Sequence, residues 1–113
     1  RKIFVTGHKG FIGSYLEAEL KKNKDIVGGY DIRSDAKDDV RNYRRLREAI
    51  RGFRPDGIVH LAAVSRVEDG FLDPKRCVEV NIGSVSNLLE IMREMPAKNR
   101  PWLIFGSSRE VFG

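Results

Sequence analysis

Three glycines at a fixed spacing carry the first chemistry in this 113-residue chain. They lie in Val5-Thr6-Gly7-His8-Lys9-Gly10-Phe11-Ile12-Gly13, between an apolar run and an amphipathic one. Strand, glycine-rich turn and helix, in that order, let free backbone N–H groups and the positive end of a helix dipole face an anion. Gly7 lets the chain turn sharply at the strand end. Gly10 lets N–H groups approach a pyrophosphate, and Gly13 lets the new helix pack close to the strand. The spacing is G-x-x-G-x-x-G, not the commoner G-x-G-x-x-G, and a ligand-free connection is the competing reading.

Asp31 follows Gly13 by eighteen residues and ends the second predicted strand. An acid at that place accepts hydrogen bonds from adenosine ribose hydroxyls and repels a 2′-phosphate, whereas the nearby Arg33 would attract one. NAD is therefore expected, with NADP open; a turn-capping Asp is the bland alternative. Ala62 and Ala63 either leave room for a cofactor at another strand end or simply pack it closely. Gly83 costs about 1 kcal/mol inside a helix, which predicts a close approach of that helix to the sheet. Ser107-Ser108, on its own, would read as a turn cap.

These residues need a scaffold that brings strand ends together. Lys2–Thr6 reads as a first strand and Phe11–Lys22 as a first helix, with Phe11, Ile12, Tyr15, Leu16 and Leu20 as its apolar side. Asp25–Tyr30 reads as a second strand, and Gly28-Gly29 within it predicts something packed close to its backbone. Asp39-Val40-Arg41 reads as a very short third strand. An arginine-rich helix follows and ends at Gly52. Ile58–Ala63 is a continuous apolar run, as in a strand covered on both faces. Asp73 caps, and Pro74 opens, a helix running to about Met95, with Val78, Ile82, Val85, Leu88, Leu89 and Met92 as its stripe. Trp102–Phe105 is the last strand. The alternation predicts an α/β fold, a doubly wound parallel sheet in a single domain spanning 1–113.

Composition narrows the partners. The net charge is +5, and the arginines crowd into Arg41–Arg54. Tyr43, Leu46, Ala49, Ile50 and Phe53 define a buried face there, so the arginines read as a solvated helix face and no nucleic-acid partner is expected. No apolar run is long enough to span a membrane. The single cysteine, Cys77, reads as a small apolar filler and points to a reducing cytoplasm.

Together these features resemble the amino-terminal part of the extended short-chain dehydrogenase/reductase family, the nucleotide-sugar epimerases, dehydratases and reductases. The matching segments are the Thr6-Gly7-x-x-Gly10-x-x-Gly13 turn, Asp31, Asp39-Val40, His60-Leu61-Ala62-Ala63, Val67, Asp73-Pro74, Asn81-Ile82-Gly83 and Phe105–Gly113. The resemblance implies a Rossmann-type sheet binding NAD, with cofactor contacts from Gly7, Gly10, Phe11, Ile12 and Gly13. It implies further contacts from Asp31, Ile32 and Arg33, from Asp39 and Val40 at the adenine ring, and from Leu61, Ala62, Ala63, Ser65 and Asn81. Ser108 is implied as the catalytic hydroxyl, with Ser107 in support.

The family's acid–base Tyr-x-x-x-Lys is absent. Tyr15, Tyr30 and Tyr43 are followed four residues later by Glu19, Ser34 and Arg47. The chain is accordingly expected to be a fragment, truncated before the last strands and the substrate domain, and inactive alone. The full-length parent is expected to be a homodimer acting on a nucleotide sugar. An NADPH-dependent reductase and a non-catalytic dinucleotide sensor are the alternatives.

Overall fold

Ile3, Phe4, Val5 and Thr6 are all buried, which only a strand covered on both faces achieves. They form most of β1 (Lys2–Thr6), the inner strand around which the computed structural model, describing residues 1–63 and 72–106, is arranged. β2 (Ile26–Tyr30) flanks it on one side and β3 (Gly57–His60) on the other, with β4 (Trp102–Phe105) beyond β3. All pairings are parallel. The register sets Thr6 beside Tyr30 and His60, and His60 beside Phe105. The chain runs outward from β1 to β2 and then returns past β1 to β3. Strand order thus reverses between β1 and β3, where doubly wound sheets form a ligand crevice past their carboxyl ends. The expected architecture is present, but the fourth apolar run leaves the sheet after His60, so Leu61–Ala63 form a connection.

The two sheet faces are unequal. Ile3, Val5 and Val59 pack against Leu16 and Leu20 of α1 (Phe11–Lys22). On the opposite face, Phe4, Tyr30 and Ile58 meet Leu46 and Ile50 of α2 (Tyr43–Phe53). Leu88 and Ile91 of a later helix complete this larger core. Ile50 is fully buried there, so Ile50→Ala should lower stability by about 2–5 kcal/mol, the usual cost of truncating a core aliphatic. Denaturant melts at fixed pH measure it.

Four further expectations are corrected. In α1, Phe11, Ile12 and Tyr15 are 79%, 65% and 67% exposed. At 100° per residue, Gly13, Leu16 and Leu20 share the inward face and Phe11 and Tyr15 lie opposite it. Asp39–Arg41 is a turn, not a strand. Asp39 Oδ1 accepts the Arg41 N–H at 2.9 Å, and Asn42 N donates to the Asp39 carbonyl at 2.9 Å. Asp and Asn side chains favour such local bonds over sheet pairing, and Asn42 then caps α2 through Arg45 N.

Third, α2 runs through Gly52 to Phe53 and stops at Arg54, whose φ of 55° is left-handed. Fourth, the long helix is broken in character. α3 (Pro74–Val78), capped by Asp73 as expected, passes through a π-helical segment, Glu79–Gly83, into α4 (Ser84–Glu94). The wider π turn rotates α4 relative to α3. Val78, Ile82 and Leu89 of the expected stripe are 55%, 65% and 53% exposed, while Ser84, Leu88 and Ile91 are buried. Gly83 has open space where a Cβ would sit; the residue that meets the sheet is Ser84.

Candidate dinucleotide site

The turn after β1 leaves no room for a side chain at Gly7 or Gly13 and little at Gly10. Gly7 has φ +74°, and a Cβ there would lie 2.8 Å from Ala62 N. A Cβ on Gly13 would lie 2.0 Å from the Gly7 carbonyl oxygen, and one on Gly10 3.2 Å from the same atom. The Gly10 N–H closes the turn onto the Gly7 carbonyl at 3.0 Å. Gly7 therefore lies against the end of β3, and α1 starts directly beneath the turn.

α1 begins bare. Its N-cap is Gly10, no side chain caps it, and its first turn holds no acidic residue. α2 and α3, by contrast, are capped by Asn42 and Asp73. The first-turn N–H groups at Phe11, Ile12 and Gly13, with the positive end of the helix dipole, suit an anion at the crevice. The glycine cradle and the uncapped helix start fit a dinucleotide pyrophosphate.

Asp31 joins this turn to β2. It is buried, and its Oδ2 accepts the Lys9 N–H at 3.0 Å while Oδ1 accepts the Arg33 N–H at 2.9 Å. Each carboxylate oxygen retains a further lone pair for a ribose hydroxyl. Arg33 Nη1 donates to the Lys9 carbonyl at 3.2 Å, which sets the guanidinium over the turn near Gly10. Ile32, between them, is half-exposed.

The Asp39 turn is held by Tyr30, whose hydroxyl donates to the Asp39 carbonyl at 3.0 Å. Burial raises the Tyr30 pKa, so the phenol keeps the proton it donates. The Asp39 carboxylate pairs with Arg41 at 2.7 Å, and hydrogen bonding to that guanidinium holds its pKa below the usual range. The Val40 side chain joins the larger core, and its carbonyl accepts Asn87 Nδ2 at 2.9 Å. Val40 thus turns its side chain away from solvent.

Leu61 and Ala62 are half-buried just past the end of β3 and Ala63 is exposed. Asn81 lies in the π segment, where its Nδ2 donates to Cys77 Sγ. Cys77 is half-buried and, as an acceptor, does more than fill space. Ser65, Val67, Ser107 and Ser108 lie outside the described residues. Among the described residues no group of His, Cys, Asp and Glu could hold a metal ion, and no helix is long and apolar enough to cross a membrane.

Sequence reasoning missed four residues that shape the site. Thr6 Oγ1 accepts the N–H groups of Leu61 and Ala62, each at 3.1 Å. It also lies 2.6 Å from His60 Nδ1, and His60 Nε2 lies 2.9 Å from Ser84 Oγ. All three side chains are buried. The available signal was a histidine inside an apolar strand run, since a buried polar group needs partners. The fourth is His8, whose ring fills the space beside Gly29, as Phe53 does beside Gly28. These are the close neighbours that the paired glycines predict. His8 Nδ1 is buried with no hydrogen-bond partner among the described residues.

Comparisons with known proteins agree with this geometry. The NAD dependent epimerase/dehydratase family profile matches residues 3–113. The CDP-glucose 4,6-dehydratase of Salmonella typhimurium is 29% identical over 112 residues, covering 84% of this chain and 31% of that protein. The UDP-glucose 4-epimerase of Lacticaseibacillus casei is 30% identical over 123 residues, covering 98% of this chain and 36% of that protein. The crystal structure of UDP-glucose 4-epimerase from Brucella ovis in complex with NAD superposes with a TM-score of 0.84 at 26% identity, over 100% of this chain and 37% of that one. The chain spans about a third of the length of these relatives. With a match through nearly every residue and the parallel sheet and glycine turn in place, the chain belongs to the NAD-dependent epimerase/dehydratase family.

Proposed function

We propose that residues 1–113 form the dinucleotide-binding domain of a nucleotide-sugar epimerase or dehydratase. The carrying observation is the uncapped start of α1 beneath a turn with no room for a side chain at Gly7 or Gly13, set where strand order reverses. The first-turn N–H groups hold the pyrophosphate, Asp31 accepts from the adenosine ribose, and the Asp39-Val40 turn borders the adenine. Ala62 and Ala63 leave space toward the nicotinamide. NAD, when bound, supplies the carbon that takes and returns a sugar hydride. Ser108 donates a hydrogen bond to the sugar oxygen that loses its proton; the acid–base Tyr–Lys pair belongs to a longer chain than this one. Alone, the 113 residues bind the dinucleotide without turnover. The full-length enzyme works in the cytoplasm as a homodimer and has no nucleic-acid partner.

A second reading, an NADPH-dependent reductase, has Arg33 in its favour. The two residues can be ranked. Asp31 is buried, whereas Arg33 is exposed, and a screened surface charge counts for less than a desolvated one. NAD should therefore bind at one site in a calorimetric titration, and NADP more weakly by about tenfold or more, which is about 1.4 kcal/mol or more. Arg33→Ala should widen that gap. Tighter binding of NADP would favour the reductase, and no binding of either nucleotide would refute the site.

A further inference from the structure

We propose that His60 is a positioning residue for the dinucleotide turn, acting as a neutral imidazole with its proton on Nε2. This rests on the reading that the turn holds a dinucleotide. Among the described residues, Thr6 Oγ1 has three polar neighbours: the N–H groups of Leu61 and Ala62, at 3.1 Å each, and His60 Nδ1 at 2.6 Å. A hydroxyl has two acceptor sites and one proton. The Ala62 N–H takes one acceptor site, and the Leu61 N–H, shared with the Thr6 carbonyl at 3.1 Å, approaches the other. The hydroxyl proton points at Nδ1, its acceptor among these neighbours, which is left bare. The ring proton is then on Nε2 and is donated to Ser84 Oγ, 2.9 Å away. Phe105 stacks on the ring at 5.9 Å between centroids. Among the described residues, the groups facing the imidazole from β1, α4 and β4 are thus Thr6, Ser84 and Phe105, none of them charged.

The consequence reaches the crevice through Ala62. Its N–H is held by Thr6 Oγ1, and the same nitrogen is what a Cβ on Gly7 would strike at 2.8 Å. The spacing between the glycine turn and the end of β3 is set at that contact. A ring that donated from Nδ1 would crowd three donors onto Thr6 Oγ1 and displace one of them. The Leu61 N–H can fall back on the Thr6 carbonyl, whereas the Ala62 N–H has Thr6 Oγ1 alone among the described residues, so competition from the ring would loosen the contact that stops the turn. Ser84 anchors the far side of the ring, and the π segment brings Ser84 inward.

The test separates the two ring nitrogens. Asparagine places an amide where Nδ1 stands and can accept from Thr6; glutamine reaches the Nε2 position and can serve only Ser84. Nitrogen-15 NMR of the wild-type chain should show the proton on Nε2 of His60. NAD affinity by calorimetry should stay within about threefold of wild type in His60→Asn and fall by about tenfold or more in His60→Gln. Ile91→Ala, a core control, should lower the melting temperature without lowering NAD affinity. A proton on Nδ1 overturns the proposal, as does equal affinity of the Asn and Gln variants, or affinity that simply follows melting temperature. If either variant fails to fold, the wild-type NMR result decides. Wild-type protein that does not bind NAD refutes the dinucleotide reading itself, whichever tautomer is found.

Discussion

Gly13→Ala should cost this chain its native turn, with stability falling by about 3 kcal/mol or more and NAD binding lost at accessible concentrations. Overpacking a tight site usually costs about 1–3 kcal/mol, and this contact belongs at the upper end. The new Cβ would sit 2.0 Å from the Gly7 carbonyl oxygen and 2.8 Å from His8 Cα. Both are backbone atoms, so no side chain can swing aside. Either α1 lifts from the sheet or the turn opens, and each breaks the Gly10 N–H to Gly7 carbonyl bond. Gly10→Ala provides the contrast. Its backbone, at φ −74° and ψ 177°, suits any residue, and its nearest obstacle is 3.2 Å away. Stability should change little, while the added methyl group occupies the approach to the N–H groups and weakens NAD binding. Gly52→Ala completes the series. It lies within α2 with no described residue beyond its own helix backbone inside 4 Å of its Cβ, so it should raise stability by about 0.5–1 kcal/mol. Denaturant melts and NAD titrations on the three variants check the order. If Gly13→Ala melts like wild type, the glycine does not set the helix-to-strand distance.

The glycine series also shows how far the sequence can be read. Gly7, Gly10 and Gly13 are legible because their reason is local: a turn between a strand and a helix. The strands were legible too, since β1 and β3 are short apolar runs with polar ends. Asp39–Arg41 was misread because a two-residue Asx bond is a competitor that hydrophobic pattern does not register. The stripe of the last helices was misread for a related reason. Helical periodicity assumes 3.6 residues per turn throughout, and the π segment at Glu79–Gly83 breaks that assumption without a sequence mark. Gly28-Gly29 announced close neighbours but could not name them. His8 and Phe53 reach those glycines from a turn and a helix that are distant in sequence, and only the register of β2 on β1 brings them there. The Thr6–His60–Ser84 line was illegible for the same reason, since it joins two strands and a helix.

Acid should destabilise this chain before its carboxylates titrate, and His60 should be the cause. Burial pushes the His60 imidazole down to about 4, against about 6.5 for an exposed histidine. The native state therefore keeps His60 neutral where the unfolded state already binds a proton. Above about pH 6.5 both states are neutral and the full stability is present. Between about pH 6.5 and pH 4 the unfolded chain gains a proton that the native one refuses, so stability falls as pH falls. At about 1.36 kcal/mol per unit, the loss is about 2 kcal/mol at pH 5 and about 3 kcal/mol once the native ring also titrates. Asp39 and Glu94, whose pKa values hydrogen bonds lower, add to the loss only at more acid pH, below about 4.5. Urea melts at pH 7 and pH 5 should show the drop in wild type and not in His60→Asn, which has no ring to protonate. A wild-type curve as flat as that of His60→Asn would mean that water reaches and solvates the imidazole, past Phe105 or from the strand end. The Thr6 and Ser84 bonds would then hold a ring that can accept a proton in place, and the tautomer would not be locked.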